Sequence, residues 1–452
     1  MKIAAYKRYK PSDSTWLPII PDTWQQIRGR FVMSVNPASM RLRNLDDSDE
    51  VSFVPMEAVG ENGGLNLDRT KLLDEIGSGY TEFEDGDVVI AKITPCFENG
   101  KSALASGLKN GVALGTTELH VLRASKRLNN RFLFHLTTSH TFRMLGEAEM
   151  YGAGGQKRVP PEFVKNFCVP LPPLEEQQTI ADFLDAQTAK IDTLLAKKRQ
   201  FIDKLKEKRS ALIARTVTRG LPPAAAQAAG LGPHLAMKVS GVEWLGHIPA
   251  HWEIKRLRYI GEAIIGLTYA PEDVSDEEDG TLVLRSSNVQ AGKITLDDTV
   301  YVKKAIPKHL RTRVGDILIC SRNGSRALIG KNAMIDERSA GLTFGAFMTI
   351  FRSKFSTYLY WVFNSNLFEF QSGAFLTSTI NQLTVNNLYS FAIAFPPSNE
   401  QQAIAAYLDC ETARIAQLAA KVEAAIARLT EYRQALITAA VMGKIAVRAR
   451  TV

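Results

Sequence analysis

Leu171-Pro-Pro-Leu-Glu-Glu-Gln-Gln-Thr-Ile-Ala-Asp-Phe-Leu-Asp185 decides how this chain folds, because it returns 224 positions later as Phe395-Pro-Pro-Ser-Asn-Glu-Gln-Gln-Ala-Ile-Ala-Ala-Tyr-Leu-Asp409. A second match opens each copy. Lys10-Pro-Ser-Asp-Ser-Thr-Trp-Leu-Pro-Ile-Ile-Pro-Asp-Thr-Trp24 returns as Lys238-Val-Ser-Gly-Val-Glu-Trp-Leu-Gly-His-Ile-Pro-Ala-His-Trp252, at an offset of 228. A duplicated sequence predicts two similar folded halves. Their pseudo-twofold symmetry suits a ligand with two addresses, such as duplex DNA.

Downstream of each Pro-Pro pair the pattern becomes helical. No Pro or Gly interrupts the chain from Pro173 to Gly220 or from Pro397 to Gly443. Leu408, Ile415, Val422, Leu429 and Leu436 recur every seven residues, with Leu418, Ala425 and Tyr432 three residues after the middle members. The first copy holds the same register at Leu184, Ile191, Leu205 and Leu212, with Leu194 and Phe201 as companions and Lys198 interrupting the seam. This is a heptad, so two long helices forming an antiparallel two-helix coiled coil are predicted. Each helix is roughly 60–70 Å long at 1.5 Å per residue, and antiparallel packing would set the two α/β parts at opposite ends. Ser398 with Gln401 fits a capping box; Leu174 in the first copy predicts a different cap there.

Upstream of each helix lie about 150 residues of mixed α/β (α+β) character. Phe83-Glu-Asp-Gly-Asp-Val-Val-Ile-Ala91 and Arg313-Val-Gly-Asp-Ile-Leu-Ile-Cys320 read as turn then strand. Asn130–Leu136 and Thr357–Phe363 read as helices. The expected order is a first recognition part over 1–171, a long helix over 172–219, and a Pro/Ala/Gly-rich linker over 220–237. A second recognition part over 238–395, a second long helix over 396–443 and a tail over 444–452 follow.

Net charge is +8 and the pI about 9.1, which favours an anionic partner, nucleic acid first. Cys96, Cys168, Cys320 and Cys410 stand far apart, so they predict buried small side chains rather than a zinc site or disulfides, and a reducing cytoplasm. No stretch has the composition of a signal peptide or of a membrane helix.

No catalytic motif emerges. The sequence lacks a Gly-x-x-x-x-Gly-Lys-Ser/Thr loop, a strand-linked Gly-x-Gly-x-x-Gly, and an Asp/Asn-Pro-Pro-aromatic tetrapeptide. Asp87 with Lys92 comes nearest to a magnesium nuclease, but the second copy has no lysine matching Lys92. The seven histidines form no repeated constellation, and no metal site is expected.

The candidate DNA-contacting residues are polar loop residues: Lys92, Asn99, Lys101, Gln156, Lys157 and Arg158 in the first copy, and Arg322, Asn323, Arg326, Thr379, Asn381 and Gln382 in the second. Arginine can donate two bonds to guanine, and glutamine can pair with adenine. The basic run Lys197–Arg209 reads as the solvated face of a coiled coil, with phosphate contact secondary.

The doubled Pro-Pro-x-x-Glu-Gln-Gln-x-Ile-Ala-x-aromatic-Leu-Asp motif and the paired Trp-Leu/Ile-Pro-x-x-Trp segments resemble those of type I restriction–modification specificity subunits, over essentially the whole chain. The resemblance implies a non-catalytic subunit. Each recognition part would read one half of a split, asymmetric target, and the coiled coil would set the spacer. It implies double-stranded DNA, two modification (methyltransferase) subunits and up to two restriction subunits as partners, and no membrane. S-adenosylmethionine, ATP and magnesium are expected on those partners, with no cofactor in this chain. Glu176, Gln177, Gln178, Glu400, Gln401 and Gln402 match the family's helix motif, which implies helix packing and subunit docking. Two readings compete: an adaptor that joins proteins without DNA specificity, and a stand-alone nuclease with an unfamiliar site.

Overall fold

A computed structural model describes residues 4–61, 63–76, 79–232, 236–374 and 382–447. The chain forms two compact units: Met1–Lys198 with Glu423–Val452, and Arg199–Val422. Two long helices, α1 (Leu174–Arg219, 46 residues) and α2 (Ser398–Val441, 44 residues), each contribute residues to both units.

Within each unit two four-stranded sheets carry the recognition part. In unit 1 one sheet has the order Met33–Val35, Leu119–Ala124, Val88–Ala91, Ser102–Leu104, all antiparallel. In unit 2 the matching order is Glu262–Ile265, Met348–Arg352, Ile317–Cys320, Asn332–Met334. The other sheet of each unit contains one parallel pair, Ser52–Val54 with Ala113–Gly115 and Val283–Leu284 with Thr343–Phe344. The turn-then-strand readings hold at Val88–Ala91 and Ile317–Cys320, and the two helical readings at Asn130–Thr138 and Ser356–Phe363. Fully buried Val88, Val89, Ile317 and Leu318 explain why these strands are uninterrupted apolar runs.

A two-stranded ribbon leads into each long helix: Gln25–Arg28 pairs with Cys168–Leu171, and Glu253–Arg256 with Ala392–Phe395. The Pro-Pro pair then turns the chain. Gln177 donates to the Pro172 carbonyl at 2.9 Å, and Gln401 to the Pro396 carbonyl at 2.7 Å. The expected Ser398/Gln401 capping box is therefore corrected. Ser398 is already helical, and both copies share one device, a buried glutamine that satisfies the turn carbonyl.

In unit 1 the start of α1 packs with the end of α2: Ile180, Leu184, Ile191 and Leu195 share a core with Leu436, Ile437, Ala440 and Val441. In unit 2 the end of α1 meets the start of α2, Ile213 and Val217 joining Ile404, Ala405 and Leu408. Both pairings are antiparallel. The companion positions of the seam differ from the expectation: Leu194, Phe201, Leu418 and Tyr432 are 42–50% exposed. The buried companions lie four residues after the heptad members, at Thr188, Leu195, Thr412 and Arg433. Leu212 is half-buried, and its neighbour Ile213 takes the fully buried place. Arg433 grips Asp192 across the seam with two bonds, 2.9 and 3.1 Å.

Residues 220–232 are not a loose tether. Pro223–Ala228 is helical, and Leu221 and Ala226 are buried against Trp252 and its neighbours. In unit 1, Gly443 turns the chain two residues past the end of α2, and its φ of +68° and closeness to Pro21 and Trp24 leave no room for a Cβ. The cysteines also depart from expectation: Cys320 is buried, Cys96 and Cys168 half-buried, and Cys410 exposed.

Candidate nucleic-acid interface

The repeated helix motif turns inward. Gln177 is fully buried; it donates to the Arg127 and Pro172 carbonyls and accepts from Asn129 N, the cap of helix Asn130–Thr138. Gln178 accepts from the Asn129 side chain. Glu176 accepts from the Tyr6 hydroxyl at 2.6 Å, and Glu400 from His251 and the Trp252 indole at 2.6 and 2.7 Å. The docking role expected of this motif is corrected for Gln177 and Gln401: side chains buried inside the chain cannot meet a partner. Gln177 braces the first recognition part on its helix, Gln401 closes the Pro-Pro turn of the second, and Gln402 is the exposed member of its set.

Asp185 extends the brace. It accepts from His135 at 2.6 Å and from Arg131, which also reaches Asp182. Burial alone would raise the Asp185 carboxyl, but the His135 and Arg131 bonds outweigh it and hold the carboxyl below its ordinary value.

Asp87 does not face Lys92 as a nuclease pair. It is buried in a bidentate bond with Arg123 at 2.7 and 2.8 Å. Asp316 and Arg352 repeat that pair in unit 2 at the same distances. Both carboxylates are 2% exposed and fully engaged by their arginines, so the pair belongs to the sheet framework. Among the described residues no group of three or more His, Cys, Asp or Glu could hold a metal ion, and no helix is long and apolar enough to cross a membrane.

Lys92–Lys101 and Tyr151–Arg158 form neighbouring loops in unit 1. Thr94 N donates to the Lys157 carbonyl, Val159 N to the Lys92 carbonyl, and Ile93 bridges to Arg158. The Tyr151–Arg158 loop closes on itself through a bridge between its ends. Gly152, at φ +145°, permits this closure, since a Cβ there would stand 2.4 Å from the Gln156 carbonyl. Gln156 and Lys157 are exposed. Lys101 is tied down, its ammonium donating to the Met56 carbonyl, and Asn99 reaches Glu61. Arg158 forms a two-point pair with Glu118 at 2.9 and 2.7 Å. These bonds, with burial opposing and Lys92 assisting, hold the Glu118 carboxyl below its ordinary value.

Unit 2 repeats the backbone arrangement. Leu383 N donates to the Ser321 carbonyl, and Arg322 bridges to Gln382. The Arg322 guanidinium lies 5.1 Å over the Phe347 ring. Asn323 donates to Ser286, and Arg326 to the Gly373 carbonyl. Thr379 and Asn381 lie outside the described residues. Phe347 also lines an open cleft of about 680 Å³ with Tyr269, Arg285, Ser286 and Asp298. Glu118 and Phe347 were missed by sequence reasoning, because only the strand pairing reveals that they occupy equivalent places.

Residues 61–204 and 249–427 match the model of the Type I restriction modification DNA specificity domain. The chain belongs to this family. Each specificity-domain match covers parts of a recognition part and the long helix that follows it. Among relatives, the EcoAI type I restriction enzyme specificity subunit of Escherichia coli is 43% identical over 163 residues, which is 36% of this chain and 27% of that protein. The chain thus spans about a quarter of the length of that curated relative. One solved structure, from work on complex assembly and conformational transition of the type I R-M system, superposes at a TM-score of 0.74 with 20% identity, covering 94% of this chain and 99% of that one. The HsdS subunit of Thermoanaerobacter tengcongensis superposes at 0.53 with 20% identity, covering 94% and 98%. Both likenesses show the fold, two α/β parts with long paired helices.

Proposed function

We propose that this chain is the DNA-recognition subunit of a type I restriction–modification assembly and itself catalyses nothing. The observation that carries the reading is a duplicated specificity domain whose matched loops keep one backbone and differ in side chains. Two such heads suit a split, asymmetric duplex target. Gln156, Lys157, Arg158, Arg322 and Gln382 are the contacts we favour. Arg158, although paired with Glu118 through one edge, keeps its side chain 41% exposed, whereas Asn99, Lys101, Asn323 and Arg326 are bonded to neighbouring loops and shape them instead. Thr379 and Asn381 remain proposals from sequence alone. Phosphate contacts by the basic surface would supply most of the affinity, so binding should weaken as salt rises.

In this reading two modification subunits dock on the exposed faces of α1 and α2 and carry the S-adenosylmethionine. Up to two restriction subunits add ATP- and magnesium-dependent chemistry, and the assembly works in the cytoplasm. Co-expression with the modification subunit, followed by genome-wide mapping of methylated adenines, tests it. The expected result is one bipartite motif with unlike halves and a fixed gap. Methylation without a split motif, or cleavage by the purified chain alone, would refute it.

A further inference from the structure

The two units share a backbone at one rung of the ladder and present different chemistry there. Lys92 N donates to the Glu118 carbonyl at 2.9 Å, and Ser321 N to the Phe347 carbonyl at 3.0 Å. Val159 N donates to the Lys92 carbonyl at 2.8 Å, and Leu383 N to the Ser321 carbonyl at 2.7 Å. With the Ile93–Arg158 and Arg322–Gln382 bridges, these bonds equate Glu118 with Phe347 and Arg158 with Gln382.

In unit 1 the rung is a charged fork. Glu118 engages Nε and Nη2 of Arg158, the side edge of the guanidinium. That pairing fixes the plane and leaves the end-on N–H groups for a second acceptor pair. Arg158 remains 41% exposed. Guanine offers two acceptors, O6 and N7, at the spacing of such a fork. In unit 2 the rung is aromatic. Phe347 is 57% exposed, with the Arg322 guanidinium stacked over its ring. An exposed, backed phenyl ring suits the methyl group of thymine, and a glutamine amide suits the N6/N7 edge of adenine.

We propose that this rung selects a different base pair in each half-site: Arg158, clamped by Glu118, takes a guanine in one, and Phe347 with Gln382 takes an A·T pair in the other. The assignment rests on the DNA-recognition reading above and deepens it to single base positions. Glu118 acts as a positioning residue, and Arg158, Phe347 and Gln382 as specificity residues.

The test is selection from a pool of randomised duplexes by the full chain in complex with its modification subunit. Wild type should enrich two half-site motifs. Arg158→Ala should cut guanine preference at one position of one half-site by roughly tenfold or more. Glu118→Gln should relax the same position and no other. Phe347→Ala should relax an A·T position in the opposite half-site. In each case the untouched half-site reports that the variant is folded. Unchanged motifs in the variants, or a different base pair at the relaxed positions, would overturn the assignment while leaving the DNA-recognition reading intact. A wild type that enriches no split motif would overturn that reading, and the assignment with it.

Discussion

Asp185 and Asp409 occupy the same place in the repeated motif and live in opposite surroundings. Burial pushes the Asp409 carboxyl above its ordinary value, against a hydrogen bond from Trp361. At Asp185 the same burial is outweighed by His135 and Arg131, and the carboxyl is held low. A carboxyl more acidic in the folded than in the unfolded chain stabilises the fold above its unfolded pKa, near about 3.9. That contribution is complete at neutral pH and is lost as pH falls through the lower folded value. Asp185→Asn should therefore destabilise unit 1 at pH 7, and its deficit relative to wild type should shrink below about pH 4. Denaturant midpoints at pH 7, 5 and 3 check this, and a deficit independent of pH would refute the brace. None of this was legible in the sequence, where both residues read alike. What separates them is Arg131 and His135, carried about 50 positions away by the helix Asn130–Thr138; the matching helix Ser356–Phe363 carries neither an arginine nor a histidine.

The long helices were legible as elements, and their seam only in part. Leucines and other aliphatics every seven residues name one line of the seam correctly, from Leu184 to Leu205 and from Leu408 to Leu436. The second line stayed hidden because polar residues hold several of its places. Thr188 and Thr412 are buried with their hydroxyls bonded to carbonyls of the preceding turn, and Arg433 is buried against Asp192. Conspicuous outward residues, Leu194, Phe201, Leu418 and Tyr432, then stand in for the true companions. Adjacent leucines give a clean test. Leu195 is 4% exposed and Leu194 is 43% exposed. Leu195→Ala should cost about 2–5 kcal/mol, whereas Leu194→Ala should stay within about 0.5 kcal/mol. Calorimetric unfolding of both variants decides it, since equal shifts would contradict the four-residue offset. Leu194 and Leu418 match each other across the repeat, and both are more than 40% exposed.

For the molecule as a whole, the proposed recognition role would make the repeat a measuring device. Each long helix is uninterrupted over 46 or 44 residues, about 65–70 Å by the rise of an α-helix, and contributes residues to both units. If the helices set the spacer between half-sites, lengthening one must lengthen the unread gap and leave both motifs alone. The loops proposed to read bases are separate in sequence from the long helices, so their chemistry has no reason to change. Four residues inserted after Lys198, the last residue that α1 contributes to unit 1, add one helical turn of about 6 Å. A four-residue insertion is a stutter, which a coiled coil absorbs by local unwinding. At about 3.4 Å per base pair the gap should grow by one or two base pairs. Methylation mapping of a strain carrying the insertion reads both quantities at once. Altered half-sites with an unchanged gap would show that the helices hold the heads but do not set their distance on DNA.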